Sequence, residues 1–160
     1  MGKIKEEIAQ FLKDNRLCVL CTCRGNESRA TPVTYWSDGL MVNIFSEKFT
    51  AKFNFLEKNP KVSIGICTSH QPDRGLQLWG RAEVITHEDS RHEKYLPDQV
   101  KKNPKLVKLR KMVKLIQVTP YKILVVDQAR KGKVFLKWEK EKTGKESEQE
   151  IKTLRAASRL

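Results

Sequence analysis

Between Arg16 and Trp36 the chain reads RLCVLCTCRGNESRATPVTYW, with three of its four cysteines in the spacing C-x-x-C-x-C. Either these thiols form a metal or redox site, or the stretch is a cysteine-rich strand. Side chains alternate between faces along a strand. Leu17, Val19, Cys21 and Cys23 then share one face, and Cys18, Leu20 and Thr22 share the other. Cys18 and Cys21 cannot converge on one ion without breaking that strand. A zinc knuckle of this spacing needs a tight turn and a second ligand pair. Cys67, His70, His87 and His92 supply no such pair. The cysteines therefore read as small packing residues with free thiols, and no metal is expected. The stretch becomes a strand over 17–23, a polar turn over 24–28 and a second strand over 30–36.

Before this stretch, Ile4, Ile8, Phe11 and Leu12 form the apolar stripe of a helix over about residues 3–14. Ser37-Asp38-Gly39 is a turn and 40–45 a third strand. Phe49, Phe53 and Leu56 predict a helix over 48–58, stopped by Asn59-Pro60. A strand over 62–68, a loop over 69–74 and a long strand over 75–85 follow. Thr86, with Asp89 three residues later, predicts a capped helix running to Tyr95. Residues 101–111 read as helical or irregular. Strands over 115–127 and 133–138 are joined by Ala129–Gly132. Residues 139–160 mix Lys and Glu and read as a helical or disordered tail. The expected architecture is mainly β with short helices. It is an antiparallel six- to seven-stranded barrel in one domain, 1–138, with the tail 139–160 behind it. Closure removes the exposed edges that so many strands would otherwise leave.

The 160 residues are 39% hydrophobic and 32% charged, with a formal net charge of +13. That is a globular composition whose basic surface favours anionic partners. The N-terminal residues lack an apolar secretory core, and no apolar run approaches the length of a membrane span. The expectation is a soluble, cytoplasmic protein with no membrane partner. Four cysteines do not make a disulfide scaffold in a chain of this length. Lys101, Lys102, Lys105, Lys108, Arg110, Lys111 and Lys114 form a basic run without an acid. A nucleic-acid-binding role is one reading of that run, although no recognised nucleic-acid motif accompanies it. His87 and His92 would stand about 140° apart on a helix, which is poor ligand geometry.

One segment carries chemistry. The strand ending at Phe45 delivers Ser46 to a helix start, where Ser46 reads as the N-cap, with Thr50 and Lys52 in the first turns. Two hydroxyls and an ammonium at a helix start suit a phosphate monoester. The same residues also fit a capped surface helix with a solvated lysine, and local chemistry leaves both open.

The order of elements resembles the FMN-binding split barrel of the pyridoxamine 5′-phosphate oxidase-related proteins. Arg29 is similar to that family's strand-start arginine, and Phe45-Ser46 to its aromatic–hydroxyl pair. Thr50-Ala51-Lys52 resembles its helix motif, and Asn59-Pro60-Lys61-Val62-Ser63 its exit. Leu78-Trp79-Gly80-Arg81-Ala82-Glu83 resembles its glycine strand. The resemblance implies FMN, with its phosphate on Arg29, Ser46, Thr50 and Lys52. It implies a ring lying along Thr31, Pro32, Val33 and Thr34 beside Phe45. It further implies a homodimer with flavin between the subunits, and a flavin-dependent oxidoreductase acting on a small-molecule substrate or electron donor that the motifs do not specify. Two departures stand out. Ala51 replaces the arginine beside the lysine, and Gln77 is shifted from the position of the family's ring-contacting glutamine. The C-terminal Trp and Arg-x-His features of the vitamin B6 oxidase are also missing, so the likeness is to the broad family. No titratable residue stands out as a catalytic acid or base. A non-catalytic flavin- or haem-binding barrel and a basic nucleic-acid-binding β-barrel remain as alternatives.

Overall fold

The computed structural model describes residues 2–68, 74–96, 110–127 and 134–151. Its elements are α1 (Lys3–Asp14), β1 (Leu17–Arg24), β2 (Glu27–Thr34), β3 (Trp36–Asp38), β4 (Met41–Glu47) and α2 (Lys52–Lys58). They continue as β5 (Lys61–Cys67), β6 (Arg74–Ile85), α3 (Ser90–Tyr95), β7 (Val113–Asp127), β8 (Val134–Lys140) and β9 (Glu146–Ile151). The apolar stripe of α1 buries Ile8, Phe11 and Leu12. Each such side chain contributes roughly 2 kcal/mol by leaving water. They meet Leu20 of β1, Ile44 of β4, Ile64 of β5, Leu78 of β6 and Val125 of β7 in one core. Tyr35 is buried there too, and its hydroxyl donates to the Leu12 carbonyl at 2.9 Å.

The strands form one antiparallel sheet in the order β2-β1-β5-β6-β7-β4-β3, with β8 added to β7 and β9 to β8. The fold is thus the expected mainly β split barrel, carried by nine strands among the described residues. The split comes from β7. One edge pairs with β6 over 115–127, apart from Tyr121. The other pairs with β4 over 113–118 and with β8 over 122–127. Thr119, Pro120 and Tyr121 fall between the two ladders. Pro120 has no N–H to donate and is tolerated at this gap. The β6–β7 register also shifts between Trp79 and Gly80, leaving Tyr121 as the extra residue. A Cβ on Gly80 would lie 2.8 Å from the Thr119 carbonyl, so the two strands approach closely only because residue 80 is glycine.

Several local expectations are corrected. The first turn is only Gly25-Asn26, because Gly25 takes φ 57° and Arg24 pairs directly with Glu27. β2 therefore includes the polar residues 27–29, which an exposed edge strand can carry. Ser46 does not cap α2; it lies within β4. The Lys48 N–H still donates to the Met112 carbonyl at 2.8 Å, so the chain leaves the sheet late and α2 starts at Lys52. The cap of α3 is Asp89, whose carboxylate accepts the Arg91 N–H at 2.9 Å; Thr86 is not the cap.

Residues 146–151 of the supposed helical or disordered tail are strand β9. Gly144 at φ 88° makes the hairpin from β8 possible. Glu146 pairs with Lys5 at 2.6 Å and accepts from the Trp138 indole at 3.3 Å, and Glu148 accepts from the Ile4 N–H at 3.1 Å. The acidic row therefore docks on α1. Ile151 packs on the other side with Leu124, Trp79 and Val126. The loop with His70, the segment 101–109, the turn 129–132 and residues 152–160 lie outside the described residues. No helix among the described residues is long and apolar enough to cross a membrane.

Candidate functional site

The end of β4, the turn 48–51 and the start of α2 bring three polar side chains to one point. Lys52 is only 8% exposed. Its Nζ donates to Ser46 Oγ at 2.7 Å and to Thr50 Oγ1 at 3.2 Å. The two hydroxyl oxygens are 3.3 Å apart. Thr50 Oγ1 also donates to the Glu47 carbonyl at 3.0 Å, which leaves the Ser46 hydrogen as the one able to turn to a ligand. Lys52 forms no ion pair among the described residues. Burial holds its ammonium below the usual lysine range, and the charge of Glu47 offsets part of that shift. A buried cation facing hydroxyls, with Glu47 acting only at a distance and no ion pair among the described residues, is chemically incomplete; an anion completes it. α2 is a seven-residue helix with Ala51 at its N-cap and no side-chain cap.

The other sequence-derived residues divide by face. The β1–β2 register places Arg29, Thr31 and Val33 opposite Thr22, Leu20 and Cys18, on the core side. Ser46 shares that side with Val42 and Ile44 of β4. The Arg29 guanidinium lies 5.0 Å from the Phe55 ring of α2, one turn beyond Lys52, and Arg24 lies 4.8 Å from the same ring. Arg29 also stands 3.6 Å from Glu27. Ser46, Thr50 and Lys52 thus converge, with Arg29 anchored one helical turn away and Thr31 on the same side of the sheet. Pro32 and Thr34 face outward beside Val19 and Leu17. Phe45 also faces outward, edge-on to Trp36 at 6.2 Å and to His92 at 5.2 Å. Gln77 is exposed on the outer face of β6, between Gly65 and Leu124.

The cysteine strand alternates as its sequence demands. Cys18 is buried, while Cys21 and Cys23 are half-buried on the opposite face. Burial pushes the Cys18 thiol up to about 12, far from a reactive thiolate. Among the described residues no group of three or more His, Cys, Asp or Glu side chains is placed to hold a metal ion. His92 is buried, with Nε2 3.0 Å from the Val113 carbonyl, and burial holds its pKa below the usual histidine value. Trp138 is a core residue; Trp79 is half-buried in the small cluster around Ile151.

Sequence reasoning missed two features. One is Phe55 as the ring beneath Arg24 and Arg29; its i+3 spacing from Lys52 was the available signal. The other is a buried amide pair. The Gln117 amide donates to Asn43 Oδ1 at 3.0 Å, across the β4–β7 ladder. Gln117 is in turn 3.5 Å from Arg91, which binds Glu83 and Asp89. This network ties α3 to the sheet.

The family model described as pyridoxamine 5′-phosphate oxidase matches residues 4–127. No curated protein matches the chain. A pyridoxamine 5′-phosphate oxidase-related, FMN-binding protein from Nostoc punctiforme superposes with a TM-score of 0.68 at 12% identity, covering 92% of this chain and 93% of that one. A Clostridium acetobutylicum protein related to general stress protein 26, of the pyridoxinephosphate oxidase family, gives 0.68 at 16% identity, covering 86% and 94%. An FAD-binding protein from Mesorhizobium loti gives 0.59 at 16% identity, covering 78% and 94%. At these identities the likeness is one of fold. With the split barrel, the ordered motifs and a family match across most of its length, the chain belongs to the pyridoxamine 5′-phosphate oxidase-related family, and not to the vitamin B6 oxidase itself.

Proposed function

We propose that this protein binds FMN and uses it for oxidation–reduction of a small molecule, as a homodimer in the cytoplasm. The observation that carries the reading is the buried Lys52 ammonium, held by Ser46 and Thr50 with no carboxylate partner among the described residues. An ammonium beside a hydroxyl hydrogen free to turn suits the terminal phosphate of a mononucleotide. The names of the Nostoc and Mesorhizobium proteins, FMN-binding and FAD-binding, support a flavin in general. The cradle's fit to a phosphate monoester supports FMN in particular.

When bound, the flavin supplies the redox chemistry. Lys52 neutralises phosphate charge, Ser46 donates its free hydroxyl hydrogen, and Thr50 fixes both through its bond to the Glu47 carbonyl. Arg29, held over Phe55, lends a second positive charge to this side of the sheet. β2 offers an exposed strand along which a flat ring can lie.

The test compares FMN with riboflavin, which lacks the phosphate. Lys52→Met keeps the buried stem and removes the charge. It should weaken FMN binding by roughly 10–100-fold and leave riboflavin binding unchanged. Equal FMN affinity in both proteins would remove the assignment.

A further inference from the structure

The split in β7 creates a second feature, separate from the Lys52 cradle. Between the β4 and β8 ladders the outer edge of Thr119–Tyr121 has no partner strand among the described residues. A cleft of about 1000 Å³ opens there, lined among others by Lys61, Arg81, Thr119, Tyr121, Lys140 and Lys142. That volume lies in the range of small-molecule sites. None of its four cations forms an ion pair among the described residues. Two carboxylates also line it. Glu83 is paired with Arg91 at 2.8 Å, whereas Glu141 accepts from the neutral Thr143 hydroxyl at 3.3 Å and keeps its charge. Four cations against that one carboxylate, which has no ion pair among the described residues, leave the cleft net cationic.

Tyr121, the bulged residue, is 42% exposed. It also lines the adjoining smaller cleft together with Trp79. Exposed aromatic faces beside cations stack heteroaromatic bases and hold their phosphates. Lys140 and Lys142 come from the β8–β9 hairpin, beyond the residues that the family model matches. This cleft is thus partly built by a portion of the chain outside that match.

We propose that the cleft at the barrel split binds a soluble nucleotide carrying at least two phosphate charges, with its base on Tyr121 and its phosphates on Lys61, Arg81, Lys140 and Lys142. The four cations gather in one cleft of monomer size, which favours a nucleotide over a polymer. Calorimetric titration of the full chain with ADP tests it. One ADP should bind per chain, with adenosine and pyrophosphate each roughly tenfold weaker or worse. Arg81→Ser with Lys142→Ser changes two exposed residues and should weaken ADP by roughly tenfold or more. Tyr121→Leu should weaken ADP by about tenfold and leave pyrophosphate unchanged. Lys52→Met should leave ADP binding as it was. Absence of ADP binding at millimolar concentration would overturn the proposal, as would an unchanged affinity in the double variant. Loss of ADP binding in Lys52→Met would move the nucleotide to the phosphate cradle and overturn it too. An affinity for oligothymidylate that climbs with length beyond that for ADP would replace the nucleotide with single-stranded nucleic acid.

Discussion

Lys52 is a buried ammonium without an ion pair among the described residues, and that has a consequence in pH. Burial favours the neutral amine, so the ligand-free protein gives up the Lys52 proton below the ordinary lysine value of 10.5. The folded value is depressed, so its contribution to stability is present above 10.5 and is lost as pH falls through the folded value. Phosphate binding runs the other way, because an anion beside Nζ favours the ammonium. As pH rises through the window just below 10.5, FMN affinity should fall, and binding there should take up a proton. Riboflavin affinity should stay comparatively flat. Titration calorimetry in two buffers of different ionisation enthalpy reads the proton directly. Proton release, or an equal pH dependence for the two ligands, would separate Lys52 from the phosphate.

Elements were legible in the sequence where burial imposes a period. The stripe Ile4-Ile8-Phe11-Leu12 became α1, and the alternation about Cys18 and Leu20 became β1, because each has one face in the core. The convergence of Ser46, Thr50 and Lys52 was legible from spacing, but the role of Ser46 as a cap was not. The bond from Lys48 to Met112 that delays the helix comes from a strand far along the chain. β9 was hidden for a related reason. Its glutamates look like a solvated tail until α1 and Trp138 are placed opposite them. Only Ile151 marks the apolar side, and a single residue has no period. Ile151→Ala should therefore cost about 2–3 kcal/mol in urea unfolding, as for a core truncation. Gln149→Ala, on an exposed position of the same strand, should change little. Equal and negligible effects of both would mean that β9 does not hold to the cluster of Leu124 and Trp79.

In the molecule as a whole, the outer face of β1 exposes apolar side chains beside a strand edge. Leu17 and Val19 are 68% and 38% exposed on the outer face of β1, beside Thr34 and Pro32 of the edge strand β2. Exposed apolar residues gathered on one face, next to an open strand edge, are a place for a second subunit. A two-fold axis there would pair the same surface with itself and create two equivalent clefts along β2. This geometry supports the proposed homodimer, because a ring lying on β2 would otherwise face water on one side. Val19→Asp puts a charge into that surface at a position the single chain already exposes, so the barrel should still fold. Light scattering should then find a monomer, and FMN affinity should fall with the loss of the partner's cover. In the unmodified protein, dilution through the dimer dissociation range should release flavin in parallel. A Val19→Asp protein that remains dimeric would place the interface elsewhere, and a monomer that keeps full FMN affinity would show that one barrel builds the whole site.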